Sequence, residues 1–423
     1  MISSRATRHT LSKSISKPVT FFLLFTFLAG IIPHVSRLNA QPAKDANKFL
    51  GNITTFGQVR SDFLDYWNQI TGENETKWES VEGTRDKMNW SGTDRIADFS
   101  RENGIPWKFH CLIWGSQYPR RWLDNLSQSE QLEEITEWFD EAAERYPDVQ
   151  MIDVINEAYP SHKPPPFKNA LGGDGATGYD WMIKAFEMAR ERWPNAVLIY
   201  NDYNTIEWNS EVDWQVRMAN AMKENNAPMD AIGVQAHDAW KISTNQVKSN
   251  IDKLAATGYP IIVSEYDIGE SNDSRQKQIM QEQFTMFWNH PKIPGITYWG
   301  YIVGRTWRNG TGLLNDGGAE RPALSWLVDF VKNNPDPPND YPDLIPKATG
   351  VTKNQNFTIA PEPFCKTVNT GEKNMKTFDL RGRLTGMFTR KNVISPSSSI
   401  VAASGTYVIT VNNRSAGIVN TIR

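Results

Sequence analysis

Short apolar runs alternate with helical patterns along residues 48–333. Eight runs have the composition of buried strands: Phe49–Ile53, Gln69–Gly72, Trp107–Leu112, Met151–Ile155, Ala196–Tyr200, Ala231–Gln235, Pro260–Ser264 and Gly295–Trp299. Between them, segments such as Ser129–Arg145 and Asp180–Trp193 repeat apolar residues at i, i+3 and i+4, as amphipathic helices do. Eight strand–helix units predict an α/β fold, a (β/α)8 TIM barrel. An open, doubly wound sheet stays the alternative, because periodicity does not show closure.

Polar residues gather where these runs end, which favours the barrel. In a barrel the carboxyl ends of all strands open on one face, where active sites lie. The residues at these ends are Glu73, Asn74, His110, Asn156, Glu157, Asn201, Asp202, His237, Glu265 and Trp299.

The N-terminus has the order of a secretory signal. Basic residues precede the apolar run Val19–Ile32, and Ala40 offers a small residue for cleavage. We therefore expect a signal peptide over residues 1–40 and a secreted or cell-surface bacterial protein. Because Leu38 is not small, an uncleaved anchor stays open, although the run is short against the roughly 20 residues of a membrane span.

The chain changes character after residue 333. Residues 334–350 are rich in Pro and predict a stiff linker. Residues 351–423 lack Trp, and their short β-type runs predict a small all-β module, sandwich-like in architecture. The segments Phe378–Arg383 and Ser404–Val411 resemble C-terminal sorting modules of secreted bacterial enzymes, which implies contact with secretion or cell-surface machinery. A carbohydrate-binding module is the alternative, disfavoured because such modules present aromatic residues for stacking.

Charge and composition limit the kinds of ligand and partner that we expect for this chain. Residues 41–371 carry a net charge of −14, so we expect no nucleic-acid partner. Cys111 and Cys365 supply neither a disulfide framework nor a thiolate zinc site. His110 and His237 lack a third ligand at suitable spacing, so we expect no metal. All sixteen Trp lie between residues 67 and 326, which indicates a domain that handles sugars.

Two carboxylates stand out among the strand ends. Glu157 and Glu265 terminate apolar runs on different strands of the predicted barrel. Retaining hydrolysis of a glycosidic bond needs two such groups about 5–5.5 Å apart, one as acid/base and one as nucleophile. A single Glu at a strand end is usually a surface residue, so it is the pair and its neighbours that indicate catalysis.

Seven strings, in order, resemble signature blocks of glycoside hydrolase family 10, the endo-1,4-β-xylanases. They are GENETKW (72–78), HCLIWGSQYP (110–119), DVINEA (153–158), YNDYN (200–204), IGVQAH (232–237), SEYDI (264–268) and ITYWG (296–300). The resemblance covers essentially all of residues 48–333. It implies that Glu157 is the acid/base and Glu265 the nucleophile, and that no cofactor is needed. It further implies that Asn156 bonds the sugar 2-hydroxyl, while Asp267 orients His237 against Glu265.

The resemblance also implies a set of sugar-binding residues: Glu73, Asn74, Lys77, His110, Trp114, Gln117, Tyr203, Gln235, Trp299 and Trp307. Trp114 and Trp299 have a second interpretation as plain barrel core, and Asp202 and Asn204 are more typical of turns than of ligand sites. The sequence departs from the family pattern at Gly115, where many members have His, and at Ala236 and Tyr266.

The sequence thus predicts a secreted, monomeric, retaining endo-1,4-β-xylanase acting on xylan and xylo-oligosaccharides. A barrel hydrolase of another β-linked glycan is the nearest alternative. A non-catalytic glycan-binding protein is the alternative from another class, and the presence of both Glu157 and Glu265 argues against it.

Overall fold

The structure is a computed structural model that describes residues 41–345 and the backbone of five strands between residues 374 and 420. The predicted signal peptide, residues 346–350 of the predicted linker and Cys365 lie outside the described residues. The chain divides into two units, residues 1–351 and 352–423, and each is described by itself.

Eight parallel strands form a closed barrel in chain order. They are β1 Phe49–Ile53, β2 Gln69–Thr71, β3 Trp107–Trp114, β4 Met151–Asn156, β5 Val197–Asp202, β6 Ala231–Val234, β7 Ile261–Tyr266 and β8 Gly295–Tyr298. Gly51 of β1 pairs with Gln69 of β2 on one side and with Thr297 of β8 on the other. The predicted barrel is therefore confirmed, and the open-sheet alternative is wrong.

Ten α-helices of the described residues surround or connect the strands. They are α1 Phe63–Tyr66, α2 Trp78–Val81, α3 Ser91–Asn103, α4 Arg120–Leu123, α5 Gln128–Arg145, α6 Asp180–Arg192, α7 Asn209–Glu224, α8 Thr244–Ala255, α9 Asp273–Asn289 and α10 Pro322–Lys332. Helix α5 begins at a capping box in which Ser127 and Glu130 satisfy each other's backbone N–H groups. It buries Ile135, Trp138 and Phe139 against the barrel, as its apolar spacing predicts.

Most tryptophans pack in the core rather than in a groove. Trp78 and Trp90 both stack on Trp138, with ring centroids 5.7 and 5.5 Å from it. Trp67, Trp107, Trp193 and Trp288 are also fully buried. The tryptophan content therefore reflects the packing of helices on the barrel as well as any ligand.

The amino-terminal ends of the strands form an apolar base. A separate buried cluster lies there, made of Phe49, Met151, Val197, Ile199, Ala231 and Ile262. Leu344 and Ile345 pack against this cluster. The segment leading to them is fastened by a backbone bond from Asp340 N–H to Pro291 and an ion pair of 2.6 Å from Asp340 to Lys292. Residues 334–345 of the predicted linker therefore belong to the packing of the barrel.

The second unit contains the five strands β9 Asn374–Phe378, β10 Leu384–Thr389, β11 Ile400–Val401, β12 Thr406–Val411 and β13 Ser415–Asn420. They pair antiparallel as a two-stranded and a three-stranded sheet. In the described part of the chain, no helix has the length and apolar character needed to cross a bilayer.

Candidate active site

The carboxyl ends of the strands bring the predicted site residues together on one face of the barrel. Strand β3 carries His110 and Trp114, β4 ends at Asn156, and β7 carries Glu265 as its penultimate residue. Glu157 follows β4 in a left-handed backbone conformation, with φ +55°. Such a conformation is uncommon for a residue other than Gly. It ends the regular alternation of side chains between the two faces of strand β4, so the Glu157 side chain does not continue that pattern.

Glu157 is a largely buried carboxyl group with two hydrogen-bond donors. Gln235 Nε2 donates to its Oε1 over 3.1 Å, and Trp114 Nε1 donates to its Oε2 over 3.0 Å. Burial, together with the nearby Glu265 carboxylate, raises the pKa of Glu157 to about 7 despite these donors. A carboxyl group of this kind holds a proton near neutral pH and can donate it.

Glu265 is more deeply buried than Glu157 and sits among donors and cations. Asn201 Nδ2 donates to its Oε1 over 2.7 Å, and His237 Nε2 donates to its Oε2 over 3.3 Å. Burial alone opposes ionisation, but His110, His237 and Lys108 outweigh it and hold the pKa of Glu265 well below its usual range. Glu265 is therefore ionised where Glu157 is protonated.

His237 connects Glu265 to a buried acid. Its Nδ1 donates to Asp267 Oδ2 over 2.8 Å, and the Trp307 indole N–H donates to the same oxygen over 2.8 Å. Although burial opposes it, the carboxylates of Asp267 and Glu265 raise the pKa of His237, so the ring is charged and donates from both nitrogens. The arrangement is the one that the family resemblance implies.

Three carboxamides join the two carboxylates. Asn201 Nδ2 donates to Asn156 Oδ1 over 2.9 Å as well as to Glu265, and Gln235 reaches both Asn156 Oδ1, over 3.4 Å, and Glu157. The Nδ2 group of Asn156 is buried and has no partner among the described residues. A buried N–H group without a partner is costly unless a ligand accepts from it, so this group is available to a substrate hydroxyl.

A buried ion pair that the sequence analysis did not select lies beneath the site. Lys108 Nζ is 2.8 Å from Asp153 Oδ2, and both side chains are inaccessible to solvent. Asp153 also accepts a hydrogen bond of 2.8 Å from His110 Nδ1. The other ring nitrogen of His110, Nε2, takes no part in this bond. Lys108 and Asp153 therefore fix the orientation of a ring whose Nδ1 is 3.9 Å from Glu265 Oε1.

The predicted polar residues of strand β2 and the following loop form a second group. Lys77 Nζ donates to Asn74 Oδ1 over 3.0 Å and to Gln117 Oε1 over 2.8 Å, and it lies 4.9 Å from the centroid of the Trp114 ring. Burial lowers the pKa of Lys77 and raises that of neighbouring Glu73. Lys77 is buried while Asn74 stays exposed, and hydrogen bonds fix their mutual orientation, as a polar binding surface requires.

Two tryptophans of the β8 end differ in exposure. Trp299 is 5% exposed and packs edge-on against His110, with ring centroids 5.3 Å apart. Trp307 is 50% exposed and lies 4.6 Å from the His237 ring. Trp307 is thus half accessible beside the carboxylates, with the Arg308 guanidinium 4.4 Å from its ring centroid, whereas Trp299 is mostly covered.

Asp202 is not a turn former, contrary to the expectation from its residue type. It ends strand β5, is fully buried and accepts hydrogen bonds from Tyr200, His162 and the backbone of Tyr159 and Tyr203. Asn204, in contrast, has a left-handed φ of +57° and does form the turn. The sequence shows a polar residue at the end of this strand, but it does not indicate the four hydrogen-bond donors that Asp202 contacts.

Gly115 allows two loops to meet above the barrel. Its N–H donates to the carbonyl oxygen of Lys163 over 2.9 Å. A Cβ atom at this position would lie 2.4 Å from the carbonyl oxygens of both Lys163 and Pro164. The Gly in place of the usual His is therefore tied to the path of the β4–α6 loop in this chain.

The barrel region of the chain is similar to known glycoside hydrolases. The family model described as glycosyl hydrolase family 10 matches residues 38–330. Endo-1,4-beta-xylanase B of Cellvibrio japonicus is 48% identical over 289 residues, which are 68% of this chain and 46% of that protein. The chain thus spans about half the length of this relative. Endo-1,4-beta-xylanase A of Caldicellulosiruptor saccharolyticus is 29% identical, over 60% of this chain and 80% of its own.

Solved structures share the fold. Native xylanase 10B from Thermotoga maritima superposes with a TM-score of 0.63 at 23% identity, covering 70% of this chain and 98% of that chain. A psychrophilic family 10 endo-beta-1,4-xylanase superposes with a TM-score of 0.61 at 27% identity, covering 69% and 99% respectively.

Proposed function

The chain belongs to glycosyl hydrolase family 10, and from that membership we propose that it is a retaining endo-1,4-β-xylanase acting on xylan and xylo-oligosaccharides. The observation that carries the proposal is the pair Glu157 and Glu265. Glu265 is buried and Glu157 partly buried at one end of the barrel, and their pKa values are shifted in opposite directions. Two carboxyl groups with separated pKa values are the requirement of acid/base and nucleophilic roles at one pH.

The first step uses both groups. A Glu265 oxygen attacks the anomeric carbon while the Glu157 proton passes to the glycosidic oxygen, so the C–O bond breaks and the leaving chain departs. In the second step Glu157, now a carboxylate, takes a proton from water. The water oxygen then attacks the same carbon and releases Glu265.

The residues beside the two glutamates favour the charged form of Glu265 and orient the sugar. Asn201 and His237 hold the two oxygens of Glu265 and favour its ionised form. The unpartnered Nδ2 group of Asn156 can donate to a sugar hydroxyl, and such contacts strengthen as the oxocarbenium-like transition state forms.

Three measurements test this proposal. The enzyme should release reducing ends from xylan faster than from mixed-linkage glucan or mannan, and NMR should detect the β-anomer as the first product. Glu265→Gln should lower kcat by at least about 10⁴-fold while ligand binding persists. An initial α-anomer, or a Glu265→Gln variant with near wild-type turnover, contradicts the mechanism.

We also propose that residues 1–40 direct export and that the C-terminal module engages secretion or cell-surface machinery. The sequence pattern of the N-terminus supports export, and the resemblance of Phe378–Arg383 and Ser404–Val411 to sorting modules supports the role of the C-terminal module. N-terminal sequencing of the protein from a secreting bacterial host tests it, with Gln41 as the expected first residue. A protein that stays in the cells with Met1 in place contradicts it.

A further inference from the structure

The loop between β4 and α6 places a histidine against the face of Tyr203. His162 stacks on this ring with centroids 3.6 Å apart and ring planes 17° from parallel. Tyr159 contacts the same imidazole with centroids 4.8 Å apart. The His162 side chain is only 4% exposed, so one face of Tyr203 is covered by a buried ring.

Asp202 fixes this histidine. Its Oδ1 accepts from His162 Nδ1 over 2.7 Å and from the Tyr203 backbone N–H over 2.9 Å. Its Oδ2 accepts from the Tyr200 hydroxyl over 2.6 Å and from the Tyr159 backbone N–H over 3.0 Å. Three of these bonds hold the buried Asp202 carboxylate in place, and the fourth ties the imidazole to it. The imidazole therefore has little freedom to rotate away from Tyr203.

The stacked pair lies beside the proposed acid/base. Tyr159 follows Glu157 by two residues, and the Lys163 N–H donates back to the Glu157 carbonyl over 2.8 Å, so the turn over residues 157–163 is closed. Burial and the nearby Glu157 and Asp202 carboxylates raise the pKa of Tyr203 to about 12. Tyr203 is half-buried, which leaves part of its ring accessible.

We propose that His162, held by Asp202, is a positioning residue that fixes Tyr203 as the stacking platform for the sugar ring that leaves when the bond is cut. The inference rests on the proposed xylanase function. The acid/base gives its proton to the leaving oxygen, so a ring beside Glu157 faces the leaving sugar. A tyrosine already held flat loses less conformational freedom when a sugar ring stacks on it.

The test compares substrates with and without a leaving sugar. Xylopentaose loses a sugar chain, whereas β-xylobiosyl fluoride loses only fluoride and places no ring on Tyr203. His162→Ala should lower kcat/KM for xylopentaose about tenfold, the effect of ordering one aromatic side chain. The same variant should hydrolyse β-xylobiosyl fluoride at the wild-type rate. His162→Phe, which keeps a flat ring, should recover most of the loss with xylopentaose.

A second readout measures the leaving-sugar site directly. When wild-type enzyme transfers xylobiosyl units from the fluoride to added xylobiose, the acceptor occupies the site that the leaving sugar vacates. His162→Ala should raise the xylobiose concentration for half-maximal transfer about tenfold. Ser161→Ala, an exposed neighbour in the same turn, is the control and should match wild type in both assays.

Three outcomes overturn the inference. An equal loss on xylopentaose and on the fluoride would mean that His162 supports only the acid/base turn. No loss on either substrate, or no recovery in a folded His162→Phe variant, would mean that stacking on Tyr203 is unimportant. If the wild-type protein itself fails to cleave xylopentaose, the proposed function fails instead, and the two failures are distinguishable.

Discussion

Asn201 donates a hydrogen bond of 2.7 Å to Oε1 of Glu265, so a carboxamide on β5 and a carboxylate on β7 are held in direct contact across the barrel mouth. The same Nδ2 group also reaches Asn156. The proposed nucleophile and the residue available to a sugar hydroxyl therefore share one anchor, and the position of one depends on that of the other.

Removing this anchor should impair catalysis more than folding. We expect Asn201→Ala to lower kcat about 10²-fold, the usual cost of losing one oriented donor at a reacting charge. Asn250→Ala is the matched control, because Asn250 is a buried Asn that donates to the Ile206 carbonyl over 2.9 Å in another part of the molecule. Steady-state kinetics and thermal unfolding of both variants check this, and equal losses of kcat would contradict it.

The two shifted carboxyl groups predict the pH profile. Since Glu157 must carry a proton to act as acid, kcat/KM should fall as pH rises through about 7. The Trp114 indole bond stabilises the ionised form of Glu157, so Trp114→Phe should raise the pKa of Glu157 and move the basic limb to higher pH. Trp122→Phe is the control, because the Trp122 indole nitrogen has no hydrogen-bond partner among the described residues. A basic limb that stays in place in Trp114→Phe would contradict the prediction.

The buried pair beneath the site should matter for stability. Lys108→Met leaves the buried Asp153 carboxylate with His110 as its remaining partner, and removing one member of a buried ion pair typically costs about 3–5 kcal/mol. We expect the urea midpoint to fall and to recover partly in the Lys108→Met/Asp153→Asn double variant. Lys108 also helps to lower the pKa of Glu265, so the acid limb of kcat/KM should move to higher pH in the single variant. A single variant as stable as wild type would show that the pair contributes little.

Gly115 should tolerate no side chain while the β4–α6 loop keeps its path. In Gly115→Ala the new Cβ would meet two backbone carbonyl oxygens at 2.4 Å, so the loop must shift. Overpacking of this kind costs about 1–3 kcal/mol, and we expect a lower urea midpoint together with a lower kcat. Gly317→Ala is the control, because a Cβ there meets no atom within 4 Å. Identical midpoints for the two variants would contradict the prediction.

The strand pattern could be predicted from the sequence because most strands contain an apolar run that the closed barrel buries. The carboxyl ends of the strands were harder to predict from the sequence. Strand β5 continues through Asn201 and Asp202, and β7 continues through Glu265 to Tyr266, past the predicted ends. These polar residues stay in the sheet because their side chains satisfy one another inside the barrel, and a hydrophobic pattern does not record such pairing.

The residues of the active site were likewise predictable only in part. The two glutamates and the His237–Asp267 pair were identified from their blocks, whereas Lys108 was missed because it lies within an apolar run and its partner is 45 residues away. A lone Lys in a buried strand is itself a signal, since burial of an amine requires a counter-charge. No local pattern indicated that His162 would stack on Tyr203, because that contact depends on how two loops cross.

The apolar base of the barrel sets where the catalytic unit can be cut for expression or crystallisation. A truncation after residue 333, where the sequence alone places the start of the linker, would strip Leu344 and Ile345 from Phe49, Met151 and Ile262 and leave these residues facing water. A fragment ending at residue 345 keeps this cover. The shortest stable fragment of the barrel unit should therefore retain residues 334–345, which cover the apolar base.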